Sequence, residues 1–546
     1  MSRNLSRAAL CLTLISAALV FSAAAKAQFS DGVFEGAPRD WRIYDSENFT
    51  LYTDVGLPYA ERMLSELEDF RQFIRHELKP VGGVRPRLTI LAPSRAADFG
   101  AFADQNSRSG VFFRTVDTDF MLINLSHTPD FRTQTNGAPT IKEILQHEYV
   151  HAVVNDLPGK PVPLWLNEGF AEYYATAERD GDHFVVGRPV KRRLDDLSTE
   201  RSVRRGPRYG RLSTSGFRRT VSGPPPIELA PLDDIIRANE QSKVYVNALD
   251  QTNYHAQSWL IIHNILSRPD GRAVLYRYLN SRRDRDDNVK ALRAALGVNL
   301  SKFDTALWNQ VRDRDFPERR VPAPSPPSTT VRTLGTVSKA DLWCQVGRFR
   351  GFRAGNEAAK SVFERVLRMD PNNVCALSHL SKLESWDFDL VKAEGLVARA
   401  EAADGSDPFT PLARAMLIYN EVRSVDDPEI LADPALYEAG VTWAERTIAM
   451  EPGMALPHFI RASLAYRNPK ATVQTLQTGL DSALEAERLW PQNPTLRLLT
   501  ATLFMRLSDF PAAQERLKFV RDWAPNPSLR RNAESLLSDL ETALTD

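Results

Sequence analysis

His147 and His151 flank Glu148 in the segment His147-Glu148-Tyr149-Val150-His151, and two more carboxylates follow in Asn167-Glu168-Gly169-Phe170-Ala171-Glu172. On a helix, residues four apart lie one turn above each other, roughly 6 Å along the axis. Imidazoles at 147 and 151 can therefore point at one metal ion, with Glu148 beside them. Zinc with three protein ligands and an open fourth position is the catalytic arrangement, and two histidines with one glutamate are a known ligand set. Glu168 is the third ligand that this pattern asks for. Carboxylates at i and i+4 repel on an isolated helix, which suits a division of labour in which Glu168 binds metal and Glu172 accepts the N–H of a ligand histidine, fixing its tautomer.

These side chains need two helices to carry them. Thr140-Ile141-Lys142-Glu143 fits a capping box, so a helix should begin at about Ile141. Asn155-Asp156-Leu157-Pro158-Gly159 should stop it, and Pro163-Leu164 should open the second helix, placing the zinc helices at about 141–176. Upstream, Phe49–Thr53 and Arg87–Leu91 read as strands around a helix near Pro58–Leu78, and Asp119–Leu125 as a further strand. Strands and helices before the zinc helices, then mostly helices after them, describe an α+β domain.

The segments H-E-Y-V-H and W-L-N-E-G-F-A-E-Y resemble the gluzincin metallopeptidases, the clan of thermolysin and the zinc aminopeptidases. The motif match covers about thirty residues, with a looser likeness in layout over roughly Trp41 to Arg314. The resemblance implies that His147, His151 and Glu168 bind Zn2+, that Glu148 is the general base and that Glu172 is the orienting partner of His147. It implies peptide-bond hydrolysis, with zinc acidifying a water and polarising the substrate carbonyl. The oxyanion then needs a further donor, commonly a Tyr or His from a later helix. Tyr254 is the first choice and His255 the second, both at the start of the apolar helix that runs through Trp259. In such peptidases a strand placed like Asp119–Leu125 pairs with an extended peptide or protein substrate; its apolar run fits complete burial equally well. No G-x-M-E-N segment is present, which leans toward endopeptidase action and leaves the mode open.

Residues 1–27 read as a signal peptide: Arg3 and Arg7, an apolar run from Ala8 to about Ala24, then Ala25-Lys26-Ala27 as the cleavage site. The expected location is periplasmic or secreted, with no membrane span after cleavage. Cys344 and Cys375 then remain, as one disulfide or as two buried thiols. Lysine plus arginine equals aspartate plus glutamate at 69 each, so no global field favours nucleic acid. A basic stretch at about 191–222 reads as a solvated insertion loop.

The chain should divide into a zinc peptidase domain at 28–317, a Pro/Ser-rich linker at 318–335, semi-extended and solvated, and a helical domain at 336–546. In the last, Trp343, Gly347, Ala359, Phe363 and Pro371 resemble the 34-residue tetratricopeptide consensus, and Ala501, Phe504, Ala513, Leu517 and Pro525 repeat it. Four to five helical pairs are expected, offering a surface to a protein partner or buttressing the first domain. The fold class is thus a gluzincin-like α+β domain followed by an all-α solenoid. The function read from the sequence is zinc-dependent peptide hydrolysis in the cell envelope or outside the cell; the alternative is an inactive peptidase-fold scaffold acting through its repeats.

Overall fold

The computed structural model describes residues 40–83, 85–103, 109–126, 131, 139–197, 227, 229–425, 431 and 433–545. The signal peptide expected at 1–27 and most of the basic stretch, residues 198–222, lie outside the described residues. Nine strands are described: β1 (Arg42–Asp45), β2 (Phe49–Thr53), β3 (Leu88–Ala92), β4 (Gly110–Arg114), β5 (Asp119–Ile123), β6 (Glu178–Asp180), β7 (His183–Val186), β8 (Arg319–Pro322) and β9 (Arg332–Thr336). The helices of the first half are α1 (Leu57–Leu78), α2 (Ala96–Phe102), α3 (Ile141–Asn155), α4 (Leu164–Tyr174), α5 (Lys191–Asp196), α6 (Leu232–Arg237), α7 (Lys243–Val246), α8 (Ala248–Leu266), α9 (Gly271–Ser281), α10 (Asn288–Leu296) and α11 (Leu300–Asp313).

A six-stranded sheet runs β4-β5-β3-β2-β1-β9, parallel at β2–β3 and β3–β5 and antiparallel elsewhere. Successive strand residues face opposite sides, and here both sides are covered. Phe49, Leu51, Ile90, Met121 and Ile123 share a core with α1, α3, α4 and α8. Leu91, Phe120 and Leu122 share another with the C-terminal helices. That two-sided burial explains why β5 reads as one continuous apolar run. Of the two readings of Asp119–Leu125, substrate pairing and complete burial, it favours burial: β5 lies between β3 and β4 with no free edge. The edge belongs to β4, which was not anticipated.

The expected linker is corrected at its two ends, while residues 323–331 between them carry no strand or helix and none of them is buried. Arg319–Pro322 pairs with β7 as the outer strand of a three-stranded sheet, and Arg332–Thr336 pairs with β1 as the outer strand of the large one. Pro322 is tolerated on β8, an outer strand, because its missing N–H falls on the unpaired side, while Pro324, Pro326 and Pro327 lie between the two strands. At the far end of β9, Arg332 Nε donates to Asp45 Oδ1 at 2.9 Å.

Beyond β9 come α12 (Lys339–Ala354), α13 (Asn356–Met369), α14 (Val374–Trp386), α15 (Leu390–Ala403), α16 (Phe409–Ser424), α17 (Pro434–Met450), α18 (Ala455–Arg467), α19 (Val473–Leu489), α20 (Pro494–Arg506), α21 (Phe510–Trp523) and α22 (Pro527–Thr545). Among the described residues these are five helix-turn-helix pairs and a closing helix, a tetratricopeptide-like solenoid. Gly347 is small because Phe363 needs the space: a Cβ there would come within 2.6 Å of the ring. Cys344 and Cys375 are joined as a disulfide between α12 and α14. The array packs on the first half along much of its length. Trp343 meets Phe102 edge-on at 5.7 Å, Phe349 meets Phe113 at 5.3 Å, and Gln492 Nε2 donates to the Val154 and Leu157 carbonyls closing α3. Among the described residues no helix is long and apolar enough to cross a membrane.

Candidate metal centre

The start of α3 is set locally. Thr140 accepts the Glu143 N–H on its hydroxyl while Glu143 accepts the Thr140 N–H, the reciprocal capping box. This phases the helix so that Ile144, Leu145, Val150 and Val153 enter the core while His147 and His151 reach its margin. α4 crosses α8 at Gly169, where a Cβ would come within 2.6 Å of the Ser258 carbonyl oxygen. The glycine after Glu168 thus lets the α4 and α8 backbones approach closely, with Glu168 Oε2 3.5 Å from His255 of α8.

The resulting geometry is convergent. His147 Nε2 and His151 Nε2 lie 3.3 Å apart, and Glu168 Oε2 lies 3.8 Å from each. Nitrogens bound at about 2.0–2.1 Å to one tetrahedral zinc sit about 3.3–3.4 Å from each other, so the spacing of the two imidazoles fits that ion. Glu168 Oε2 is buried without a hydrogen-bond donor, and a buried carboxylate oxygen with no donor is costly unless a cation faces it. These three residues therefore fit a zinc ion on their own chemistry.

Their other atoms are tied down. His151 Nδ1 lies 3.0 Å from Asn167 Oδ1, and His147 Nδ1 lies 3.5 Å from Glu172 Oε1. Asn167, one residue before the third ligand, was not assigned a role from sequence. Glu172 in turn is gripped by Arg193, whose Nε donates to Oε2 at 2.8 Å and whose Nη2 donates to Oε1. Arg193 belongs to α5 and is buried, which corrects the reading of its stretch as solvated from the first residue. Two basic neighbours in the sequence concealed one that turns inward.

Burial raises Glu172, but Arg193 overrides it and holds the carboxyl well below its usual range. Burial pushes Glu148 up to about 7; Glu168 and Glu172 add to the rise, and His151 and the Phe112 backbone N–H oppose it. Burial draws His147 down to about 3. For His151 burial acts the same way, but the carboxylates of Glu168 and Glu148 outweigh it and the ring is raised.

Tyr254 and His255 lie beyond the first turn of α8, which begins earlier than the sequence suggested, at Ala248, and their surroundings differ. Tyr254 has no exposed surface and its ring packs edge-on against Tyr245 at 5.5 Å. His255 Nδ1 lies 3.5 Å from Glu168 Oε2 and 3.4 Å from Glu172 Oε1, while its Nε2 has no partner. Its ring is stacked between those of His147 and Tyr245, 3° to 5° from parallel with both. Tyr245, on α7, donates its hydroxyl to Glu168 Oε1 at 3.1 Å; it too was missed, because nothing in Lys243-Val244-Tyr245-Val246 marks it. The Tyr254 hydroxyl is likewise buried without a hydrogen-bond partner; His255, the second choice, differs from it in lying directly against Glu168 and Glu172.

No protein-family model matches the sequence, and no curated protein matches it. Among solved structures, the chain is similar to a thermophilic TPR protein of Thermus thermophilus, with 19% identity over 36% of this chain and 99% of that one and a TM-score of 0.31. It is similar to PilF of Pseudomonas aeruginosa, with 16% identity, coverage of 38% and 87%, and a TM-score of 0.28. Yeast Tom70 follows at 13% identity, coverage of 56% and 65%, and a TM-score of 0.25. These likenesses are distant, and the repeat character of residues 339–545 rests on the helix pairs described above.

Proposed function

We propose that this protein is a zinc-dependent metallopeptidase of the gluzincin kind, hydrolysing peptide bonds. The observation that carries the reading is the convergence of two imidazole nitrogens 3.3 Å apart on a buried glutamate oxygen that has no hydrogen-bond donor. Zinc held by His147, His151 and Glu168 would supply Lewis acidity, toward a water and toward the substrate carbonyl. Glu148 takes the proton of the attacking water and passes it to the leaving amine. Asn167 and Glu172 orient the two histidine rings through their Nδ1 atoms, with Arg193 keeping Glu172 ionised. Tyr245 holds Glu168 Oε1, leaving Oε2 turned to the histidines. His255, with Nε2 unpartnered, is the donor for the developing oxyanion, ahead of Tyr254. The free edge of β4 beside Glu148 suits backbone pairing with an extended peptide.

The intact Glu148 supports catalysis over the competing reading, an inactive scaffold acting through its repeats. The Cys344–Cys375 disulfide and the leader-like residues 1–27 support a periplasmic or secreted location. The decisive experiment is elemental mass spectrometry on the purified chain together with a casein-cleavage assay. Near one zinc per chain in the wild type and in Glu148→Gln, hydrolysis in the wild type alone, and neither in His147→Ala/His151→Ala would support the reading. A folded wild type that takes up no added zinc would overturn it.

A further inference from the structure

The turn joining β4 to β5 projects into the solenoid. Thr115 Oγ1 closes it by accepting the N–H groups of Asp117 at 3.2 Å and Thr118 at 2.9 Å. Asp117 is buried and accepts from Lys382 Nζ of α14 at 2.5 Å, with the Arg348 guanidinium of α12 adding positive charge and the His379 imidazole of α14, which burial draws well below its usual range, beside it. The Val116 carbonyl accepts the Leu456 N–H of α18 at 3.0 Å, and the Val116 side chain packs into the apolar core of the repeats. Arg85 ties the base of the turn to the array, donating to the Thr115 carbonyl at 2.7 Å, to Asp119 at 3.0 Å and to the Leu489 carbonyl at the end of α19 at 3.1 Å. Four separate repeat helices thus close on a few residues of one turn.

The other end of the same strand touches the candidate general base. A Cβ on Gly110 would come within 2.8 Å of Glu148 Oε1 and 2.7 Å of Ile144 Cγ2, so β4 lies against α3 as closely as a backbone can. A five-residue strand is about 17 Å long, and it connects the two contacts rigidly. With β4 at the edge of the sheet, among the described residues only β5 pairs with it along its length. Arg114, the last residue of β4, holds that end of the strand to α3 through the Ala152 carbonyl at 3.2 Å and through Asp156, and the turn beyond it is the further restraint that an edge strand uses to keep a fixed distance from a helix in front of it.

We propose that the repeat array is a positioning part of the candidate active site: by gripping the Thr115–Thr118 turn through Asp117, it sets β4 against Glu148 and holds the strand's free edge in place for an extended peptide. The groove that a repeat array offers to a partner is here filled, at this point, by the protein's own turn. Withdrawing the turn would leave Lys382 facing a basic neighbourhood without the carboxylate that pairs with it. The role of the edge in substrate binding rests on the peptidase reading; the grip on β4 does not.

The test is amide hydrogen exchange on the zinc-treated full chain, with casein hydrolysis measured in parallel, for the wild type, Asp117→Ala, Asp117→Glu and Lys382→Gln. Asp117→Ala and Lys382→Gln should raise exchange across residues 110–116 at least tenfold, leaving residues 88–92 of the sheet interior and the zinc content unaltered. KM should rise several-fold with kcat nearly unchanged, and Asp117→Glu should recover most of both. Unchanged exchange at 110–116 in both disrupting variants would overturn the proposal, as would equal loosening of 88–92. Should Asp117→Ala not fold, Lys382→Gln, altered at a partly exposed side chain, decides. A wild type without zinc or hydrolysis would sink the peptidase reading, while the exchange result would still decide the grip.

Discussion

Two buried carboxylates, Glu168 and Asp117, sit at opposite ends of the same functional region and are treated differently by their surroundings. Asp117 is met by an ammonium at 2.5 Å, with a guanidinium and an imidazole nearby. Glu168 has one oxygen on Tyr245 and the other facing only histidine rings at 3.5 to 3.8 Å. Burial raises Asp117, but Lys382 overrides it and holds the carboxyl well below its usual range. Burial likewise raises Glu168, and His255, His151 and His147 bring it below its usual value. A carboxylate with its own cation completes a structure; one flanked by imidazoles at ligand spacing asks for a metal. The difference separates a structural acid from a candidate metal ligand without reference to the motif.

Matched carboxamide substitutions test that contrast. Glu168→Gln should reduce zinc affinity by more than the 10- to 100-fold typical of losing an orienting partner, measured by competition with a chelator, while costing the zinc-free protein less stability than Asp117→Asn. Asp117→Asn should cost about 3–5 kcal/mol in urea unfolding, the usual result of breaking a buried ion pair from one side, and leave zinc affinity alone. If both substitutions affect both quantities equally, the distinction fails.

Smaller effects sharpen it. Glu172→Ala should weaken zinc binding by about 10- to 100-fold, because His147 loses the carboxylate beside its Nδ1. Tyr245→Phe should weaken it by about tenfold, the low end for a hydrogen bond to a charged acceptor. The finest test is the pH dependence of stability. Since the folded-state pKa of Asp117 lies below the unfolded value of about 3.9, its contribution is complete at neutral pH and is lost as pH falls from about 4 through the folded-state value. Asp117→Asn should flatten the stability profile there.

The parts of the site that lie close together in the chain were legible in sequence. Thr140 and Glu143 announce α3, and four-residue spacing places His147 above His151. Gly347 and Phe363 mark a helix pair because their contact recurs with a fixed period. Arg193 was hidden because composition describes an average, and one inward arginine does not change the average of a basic stretch. β4 was missed because Gly110-Val111-Phe112-Phe113-Arg114 is short and its partner is the strand that follows it. Arg319–Pro322 and Arg332–Thr336 were misread because the prolines and serines at 324–328, which lie between the two strands, set the composition of the whole stretch. Lys382 and Asp117 meet across 265 positions, and no local pattern reports such a contact.

The route of residues 319–336 also bears on how the protein is made. The chain leaves the first half only after adding an outer strand to each of its two sheets, and the second of these, β9, covers β1 near the N-terminal end of the described chain. During synthesis the growing polypeptide therefore cannot finish its N-terminal half until residue 336 has emerged from the ribosome. Until then β1 presents an unpaired edge, and the first pair of repeat helices follows almost at once to cover the exposed sheet face. The natural unit of folding ends within the repeats, well past the proline-rich stretch where a domain boundary would ordinarily be cut.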